Sequence, residues 1–165
     1  MSEATARLNL PLMAAGQSQK EVTHNEALLR IDLLVQAVVM SGPQAVPPTN
    51  PLEGQSWIVG KSPTGIWVGK EDYLVQWTRN GWLAAPPFEG LSVWAVTGSR
   101  GWRYVAGRWS DVLEASSVRI AGKQVIGPQQ PPIAIPQGGT NPDLEARAAI
   151  VLVINALRTH GLISN

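Results

Sequence analysis

The chain has no cysteine, two histidines and one phenylalanine among its 165 residues. Without cysteine there is no disulfide and no thiolate metal site, although the redox compartment stays open. With two histidines, an imidazole metal site or a Ser-His-Asp relay has few parts to draw on. Charge is scarce too, at 15% of residues, against roughly 25% in ordinary soluble domains. A small protein has much surface to cover, so the deficit points to surface buried against copies or partners. The formal net charge is +1, and the basic residues are scattered. That balance argues against nucleic acid and against a polybasic membrane contact. No apolar run approaches the roughly 20 residues that a membrane span needs. The opening MSEATARLNLPLMAAG has Glu3 where a basic region belongs and Pro11 inside its short apolar stretch. No signal peptide is expected, and the reading is a soluble chain that leaves the cell by lysis or within a larger particle.

What the chain does hold is tryptophan, seven in all. Residues 1–17 read as an N-terminal arm that docks onto neighbouring proteins and orders only there. A domain of helix plus β-meander is expected over 18–120. Ser18 with Glu21, and Thr23 with Glu26, both have capping-box spacing for a helix over 18–40. Ala27, Ile31, Leu34 and Val38 form its apolar stripe, widened by Leu28 and Val35. PQAVPPTNPLE at 43–53 is extended, because its prolines forbid helix and central strand. Short pieces then alternate with Gly, Asn-Gly or Pro: QSWIVG, GIWVGK, YLVQW, GWLAA, LSVWAV, GWRYVAG and GRWSDV. They predict an antiparallel meander over about 55–112, with a type I′ hairpin at RNGW, 79–82. Residues 113–120 suit a further strand.

Residues 121–140 form a Gly/Pro/Gln-rich tether, extended and partly polyproline-like. Residues 141–165 are expected to hold an oligomerisation helix, with Asn141 as cap, Pro142 at its first position, and Asp143 and Glu145 at its positive start. Arg158 and His160 suit its negative end, and Gly161 its stop. Residues 148–154 are apolar on every side, which calls for partners on more than one side. Ile150, Ile154 and Leu157 have a/d-like spacing, and β-branched residues there favour three or more strands. Ile150, Val153, Ile154 and Leu157 are the expected contacts. Docking of this helix onto the sheet is the alternative.

Catalytic chemistry has thin support. THNE at 23–26 places His24 and Glu26 near Asp32, but a zinc-protease helix needs a second His where Leu28 stands. His24 shares a face with Leu28 and Ile31, so a half-buried structural histidine is expected. Glu71, Asp72, Glu89 and Asp111 are candidate paired acids for glycoside hydrolysis, yet they lie at strand ends and turns. QGGT at 137–140 precedes a helix but lacks the lysine and strand of a phosphate loop. No catalytic residue, metal or cofactor is expected. Trp57, Trp67, Trp77 and Trp94, with apolar neighbours, read as core. Trp82, Trp102 and Trp109, in polar surroundings, are candidate glycan-binding platforms or core lids.

Five stretches together resemble a family found in prophages and gene transfer agents, whose core is a domain of unknown function. They are LNLPLMAAGQSQKEVTHNEALLRIDLLVQ at 8–36, PPTNPLEGQSWIVG at 47–60, TGIWVGK at 64–70, GWLAAPPFEGLSVWAV through YVAGRW at 81–109, and GGTNPDLEARAAIVLVINALRTHGLI at 138–163. Gln19, Lys20, Asn25, Glu26 and Asp32 mark the first of these. The resemblance implies a virion appendage: a tail fibre, a head spike or its attachment base. It implies a homo-oligomer, trimeric or pentameric, that joins other virion proteins and contacts bacterial surface polysaccharide. It supplies no catalytic residues.

The expected fold class is therefore α+β: N-terminal helix, Trp-rich antiparallel meander, Pro/Gly-rich tether and C-terminal oligomerising helix. The expected function is structural, in a virion, with host attachment by avidity. A stand-alone carbohydrate-binding module is the rival, and a cell-wall hydrolase a third reading.

Overall fold

In the computed structural model of the chain, residues 3–16, 19–135, 137, 143–159 and 162–164 are described. The fold is α+β, and it divides into two compact units, one up to Val112 and one from Leu113 onwards.

In the first unit, helix α1 spans Lys20–Leu34. Thr23 and Glu26 lie inside the helix, so the capping box expected there does not open it, and the other expected cap, Ser18, lies outside the described residues. Gln19 precedes the helix at φ 65° with no side-chain cap. The helix stops well short of residue 40. Val35 turns to an extended conformation, and Gln36 adopts a left-handed φ of 45°. The β-branched pair Val38–Val39 then forms strand β1, where it gains ladder bonds that a helix end cannot offer. The buried face of α1 is also turned from the expected stripe. Asp32 and Leu33 are buried, while Ile31 and Val35 are 45% and 46% exposed.

The strands that follow are β2 (Ser56–Ile58), β3 (Leu74–Thr78), β4 (Gly81–Ala85), β5 (Ser92–Ala95), β6 (Arg100–Val105) and β7 (Arg108–Ser110). They form two sheets, β2-β3-β4 and β1-β5-β6-β7. All neighbours pair antiparallel except β1 with β5, which run parallel with Val38 opposite Trp94. GIWVGK is not a strand. Gly65–Trp67 is a 3₁₀ turn that buries Trp67, and Gly65 and Gly69 take φ of 58° and 79°.

The hairpin at RNGW is present, with Thr78 opposite Gly81, but it is not type I′. Gly81 carries its positive φ, 108°, and Asn80 does not. The Thr78 hydroxyl organises the turn by accepting from Asn80 N at 3.3 Å. Geometry of the I′ kind occurs instead between β6 and β7, where Ala106 and Gly107 have φ of 50° and 76°.

The Pro-rich connection is put to use. Gln44 N donates to Ile58 O at 3.1 Å and Gly60 N to Gln44 O at 2.7 Å. It thus covers the outer edge of β2, which would otherwise be free to pair with another chain. Sheet β2-β3-β4 packs on both faces, and its side chains alternate between them. On one face Ile58, Leu74 and Ala85 join Leu33, Val39, Val93, Ala95 and Trp109 in the main core. On the other, Trp57, Val59, Trp67 and Val75 form a second core. Gly42 is fixed by this packing, since a Cβ there would sit 2.7 Å from the Trp102 ring.

The arm is ordered within the chain itself, contrary to the expectation that it orders only on a partner. Ala4 bridges Pro11, and Thr5 N donates to Leu10 O at 2.9 Å.

In the second unit, β8 (Val118–Ile120) and β9 (Lys123–Ile126) form a hairpin, so β8 falls within the expected further strand over 113–120 and β9 occupies the start of the expected tether. Its turn residues Ala121 and Gly122, at φ 49° and 78°, make a type I′ connection. Farther on, Gln130 N donates to Leu162 O and Ser164 N to Gln130 O. Helix α2 spans Leu144–Thr159. Asn141, Pro142, His160, Gly161 and the GGT of QGGT lie outside the described residues. Asp143 performs the capping, accepting from Ala146 N at 2.9 Å. Arg158 Nη2 donates to Ile133 O at 3.1 Å.

Candidate functional site

The tryptophans do not fall where their neighbours in sequence suggest. Trp82 is only half-buried, but it sits among three other indoles. Its ring centroid lies 5.5 Å from Trp57, 5.2 Å from Trp67 and 5.2 Å from Trp77, all edge-on. Edge-to-face contact is the favoured geometry for such rings. Trp109 is 8% exposed, and its Nε1–H donates to Asp72 O at 2.7 Å. It also meets Tyr104 edge-on at 5.5 Å. Trp102 packs against the main core. Of the three candidate platforms Trp109 is buried, while Trp82 and Trp102 are partly buried. Trp94, expected in the core, is instead 50% exposed. Trp57 and Trp67 are buried as expected, and Trp77 partly so.

The tightest polar construction is at Asp32. Its carboxylate is fully buried and accepts from Arg7 N at 3.2 Å and Leu8 N at 2.6 Å. Gln76 Nε2 reaches it at 3.4 Å and Gly54 O at 3.3 Å. The Arg7 guanidinium lies across the end of α1, donating to the carbonyls of Asp32, Leu33, Val35 and Gln36. A cation there satisfies orphan carbonyls and complements the negative helix end. Asn25 clasps Met13 through both N–H and C=O, at 2.9 and 3.0 Å. Two side chains of the marked motif, Asn25 and Asp32, thus hold the arm, while Gln19, Lys20 and Glu26 are exposed. Glu26 pairs with Arg30 at 2.8 Å. Beside the arm lies an open polar groove of about 610 Å³, lined by Glu3, Thr5, Asn9, Glu53 and Arg79 among others. Arg79 pairs there with Glu53 at 2.9 Å and Glu3 at 3.5 Å.

The candidate acids each have a donor of their own. Glu71 accepts from Ser62 N at 2.8 Å, and Glu89 from Ala106 N at 3.1 Å. Asp72 holds Lys61 at 2.6 Å, and that hydrogen bond keeps the ammonium above the usual lysine range. Arg100 holds Asp111 at 2.7 Å, and its hydrogen bond keeps the carboxyl below the usual carboxylate range. The Lys61 pair therefore contributes below the unfolded lysine pKa and is lost as pH rises through the raised folded value. The Asp111 pair contributes above the unfolded carboxylate pKa and is lost as pH falls through the lowered one. Both are solvent-exposed and screened, so neither weighs much. His24 is exposed rather than half-buried. Among the described residues no cluster of His and acidic side chains has the form of a metal site.

Comparison with known families gives one match. The profile described as a protein of unknown function (DUF2793) fits residues 24–110. The chain belongs to this family. No curated protein matches it. The DUF2793 match runs from within α1 to the end of β7, so it takes in both sheets and all seven tryptophans. The arm and the second unit lie outside it.

That second unit carries the barest apolar surface. Of its apolar side chains among the described residues, Ile154 and Ile163 are the buried ones. On α2, Leu144 is 75% exposed, Leu152 71%, Val153 59% and Ile150 45%. Leu157 is half-buried. Of the four expected oligomer contacts, Ile150 and Val153 lie open, while Ile154 is already part of the unit's own core. The β8–β9 hairpin adds exposed Val118, Ile120, Val125 and Ile126. No helix among the described residues is long and apolar enough to cross a membrane.

Proposed function

We propose that the chain is a structural part of a phage-like particle, a tail fibre, head spike or attachment base, that self-associates through residues 113–165 and contacts host-surface polysaccharide. The observation that carries the assembly reading is the second unit's core, limited among the described residues to Ile154 and Ile163. A unit of that size with so little buried apolar area does not stabilise itself. Copies packed around the exposed flank of α2 supply what is missing. Three copies are expected, with five as the alternative. The low overall charge supports this reading, and the arm and the polar groove beside it are the proposed contacts with neighbouring virion proteins.

The test is solution mass by light scattering on a sizing column. Leu152→Glu and Val153→Glu are the informative changes, because both side chains are exposed. Ile154→Asp is not, since it would break the unit's own core. All seven tryptophans lie in the first unit, so near-ultraviolet circular dichroism reports that unit alone. The expected result is a discrete oligomer that becomes monomeric in either variant while the tryptophan spectrum stays unchanged. A monomeric wild type would overturn the assembly reading and favour a stand-alone carbohydrate-binding module.

A further inference from the structure

The outer face of sheet β1-β5-β6-β7 has a composition unlike the rest of the surface. Val93 and Ala95 point into the main core, so Ser92 and Trp94 point out. Trp102, Tyr104 and Trp109 pack inward, so Gly101, Arg103, Arg108 and Ser110 lie on the outer side. Across the ladder, Val38, Trp94 and Gly101 form one row, and Ser92, Arg103 and Ser110 the next. Val105 with Arg108 forms the third.

Trp94 is half exposed, and Gly101 beside it places no side chain over the indole. A cavity of about 290 Å³, lined by Gln36, Val38, Ser92 and Trp94 among others, adjoins the ring. Arg103 and Arg108 are exposed, and neither side chain makes a hydrogen bond or ion pair among the described residues. They run diagonally from Trp94, with steps of about 7–8 Å across adjacent strands. The acids at the sheet's margins are occupied, Asp111 by Arg100 and Glu89 by Ala106 N.

We propose that this face binds an acidic polysaccharide, with Trp94 as the platform for a sugar ring and Arg103 and Arg108 as partners for its carboxylates or sulfates. The C–H face of a pyranose stacks on an exposed indole, whose large flat surface is costly to leave wet. A guanidinium with no internal partner is suited to two parallel hydrogen bonds to a carboxylate or sulfate. The diagonal from ring to second arginine is longer than one sugar, so it fits a chain rather than a monosaccharide. Nucleic acid is the weaker fit. Its binding draws mainly on many phosphate contacts, and here two free cations stand on a chain of net charge +1. The inference deepens the attachment half of the proposed function and does not depend on the assembly half.

The experiment uses the full chain immobilised on a biosensor. The probes are polygalacturonate, chondroitin sulfate, dextran and a single-stranded oligo-dT. At least one of the two acidic glycans is expected to bind at least tenfold more tightly than dextran, and more weakly as salt rises. Trp94→Ala, Arg103→Gln and Arg108→Gln should each weaken that binding about tenfold without changing the melting temperature. Failure of both acidic glycans to bind overturns the site. So does equal affinity for dextran, tighter binding of oligo-dT, or full affinity in Trp94→Ala. A fall in oligomer mass in Trp94→Ala would make the face a contact between copies and likewise overturn it. An oligomer that binds no glycan leaves the assembly reading standing. A monomer that binds acidic glycan leaves this site standing alone.

Discussion

Asp32→Ala is expected to destabilise the first unit by about 3 kcal/mol, because it strands one buried and two part-buried donors that converge on a buried carboxylate. The donors are Arg7 N, Leu8 N and Gln76 Nε2. The loss corresponds to a fall in melting temperature on the order of 10 °C for a unit of this size. Thermal unfolding followed by tryptophan fluorescence measures it. Asp32→Asn keeps one acceptor oxygen and should lie between the two. Arg7→Ala should cost less, about 1 kcal/mol, because its bonds to the end of α1 are largely exposed. Hydrogen exchange at Leu8 should speed up in Asp32→Ala. Wild-type stability in that variant would mean that the carboxylate does not secure the arm.

Trp82→Ala is expected to cost as much or more, about 3–5 kcal/mol, the range for removing a large ring from a packed site. Three edge-on indole contacts end at this residue, and each adds about 0.5–1.5 kcal/mol beyond area burial. Urea unfolding of Trp82→Ala and Trp82→Phe separates ring size from mere aromaticity, with the Phe variant expected to be the milder. A variant of native stability that had lost glycan binding would restore the platform reading from sequence. The geometry predicts the reverse: lost stability, and glycan binding in the folded fraction retained.

The strand positions were legible because glycine, proline and Asn-Gly punctuate them, and six of the seven quoted pieces hold a strand. The orientation of the rings is less legible, because polar neighbours leave Trp82, Trp102 and Trp109 open as platforms or core lids, and apolar neighbours suggest a buried Trp94 where the ring is half exposed. On a strand, successive side chains point to opposite faces, so a tryptophan between polar residues points away from them. Gly101-Trp102-Arg103 and Arg108-Trp109-Ser110 both follow that rule and turn their rings inward. In SVWAV at 92–96 the apolar run hides the alternation, and only the pairing of β5 with both neighbours shows that Trp94 faces out. The end of α1 was illegible for a related reason. LLVQAVV at 33–39 continues a helical stripe, and the parallel partner that claims Val38 and Val39 lies far along the chain. Asp32 also turned the helix, since its buried carboxylate answers to the arm, which no local periodicity reports.

The parallel pairing of β1 with β5 has a consequence for the order of folding. Val38 cannot meet Trp94 until the whole of β2, β3 and β4 has been made and the chain has returned. Short-range hairpins close quickly, and distant pairings wait on them. The β3–β4 hairpin should therefore be protected first in pulsed hydrogen exchange, with Val39 and the amides at Asp32 last. A strand made early in the chain is thus completed by one made late.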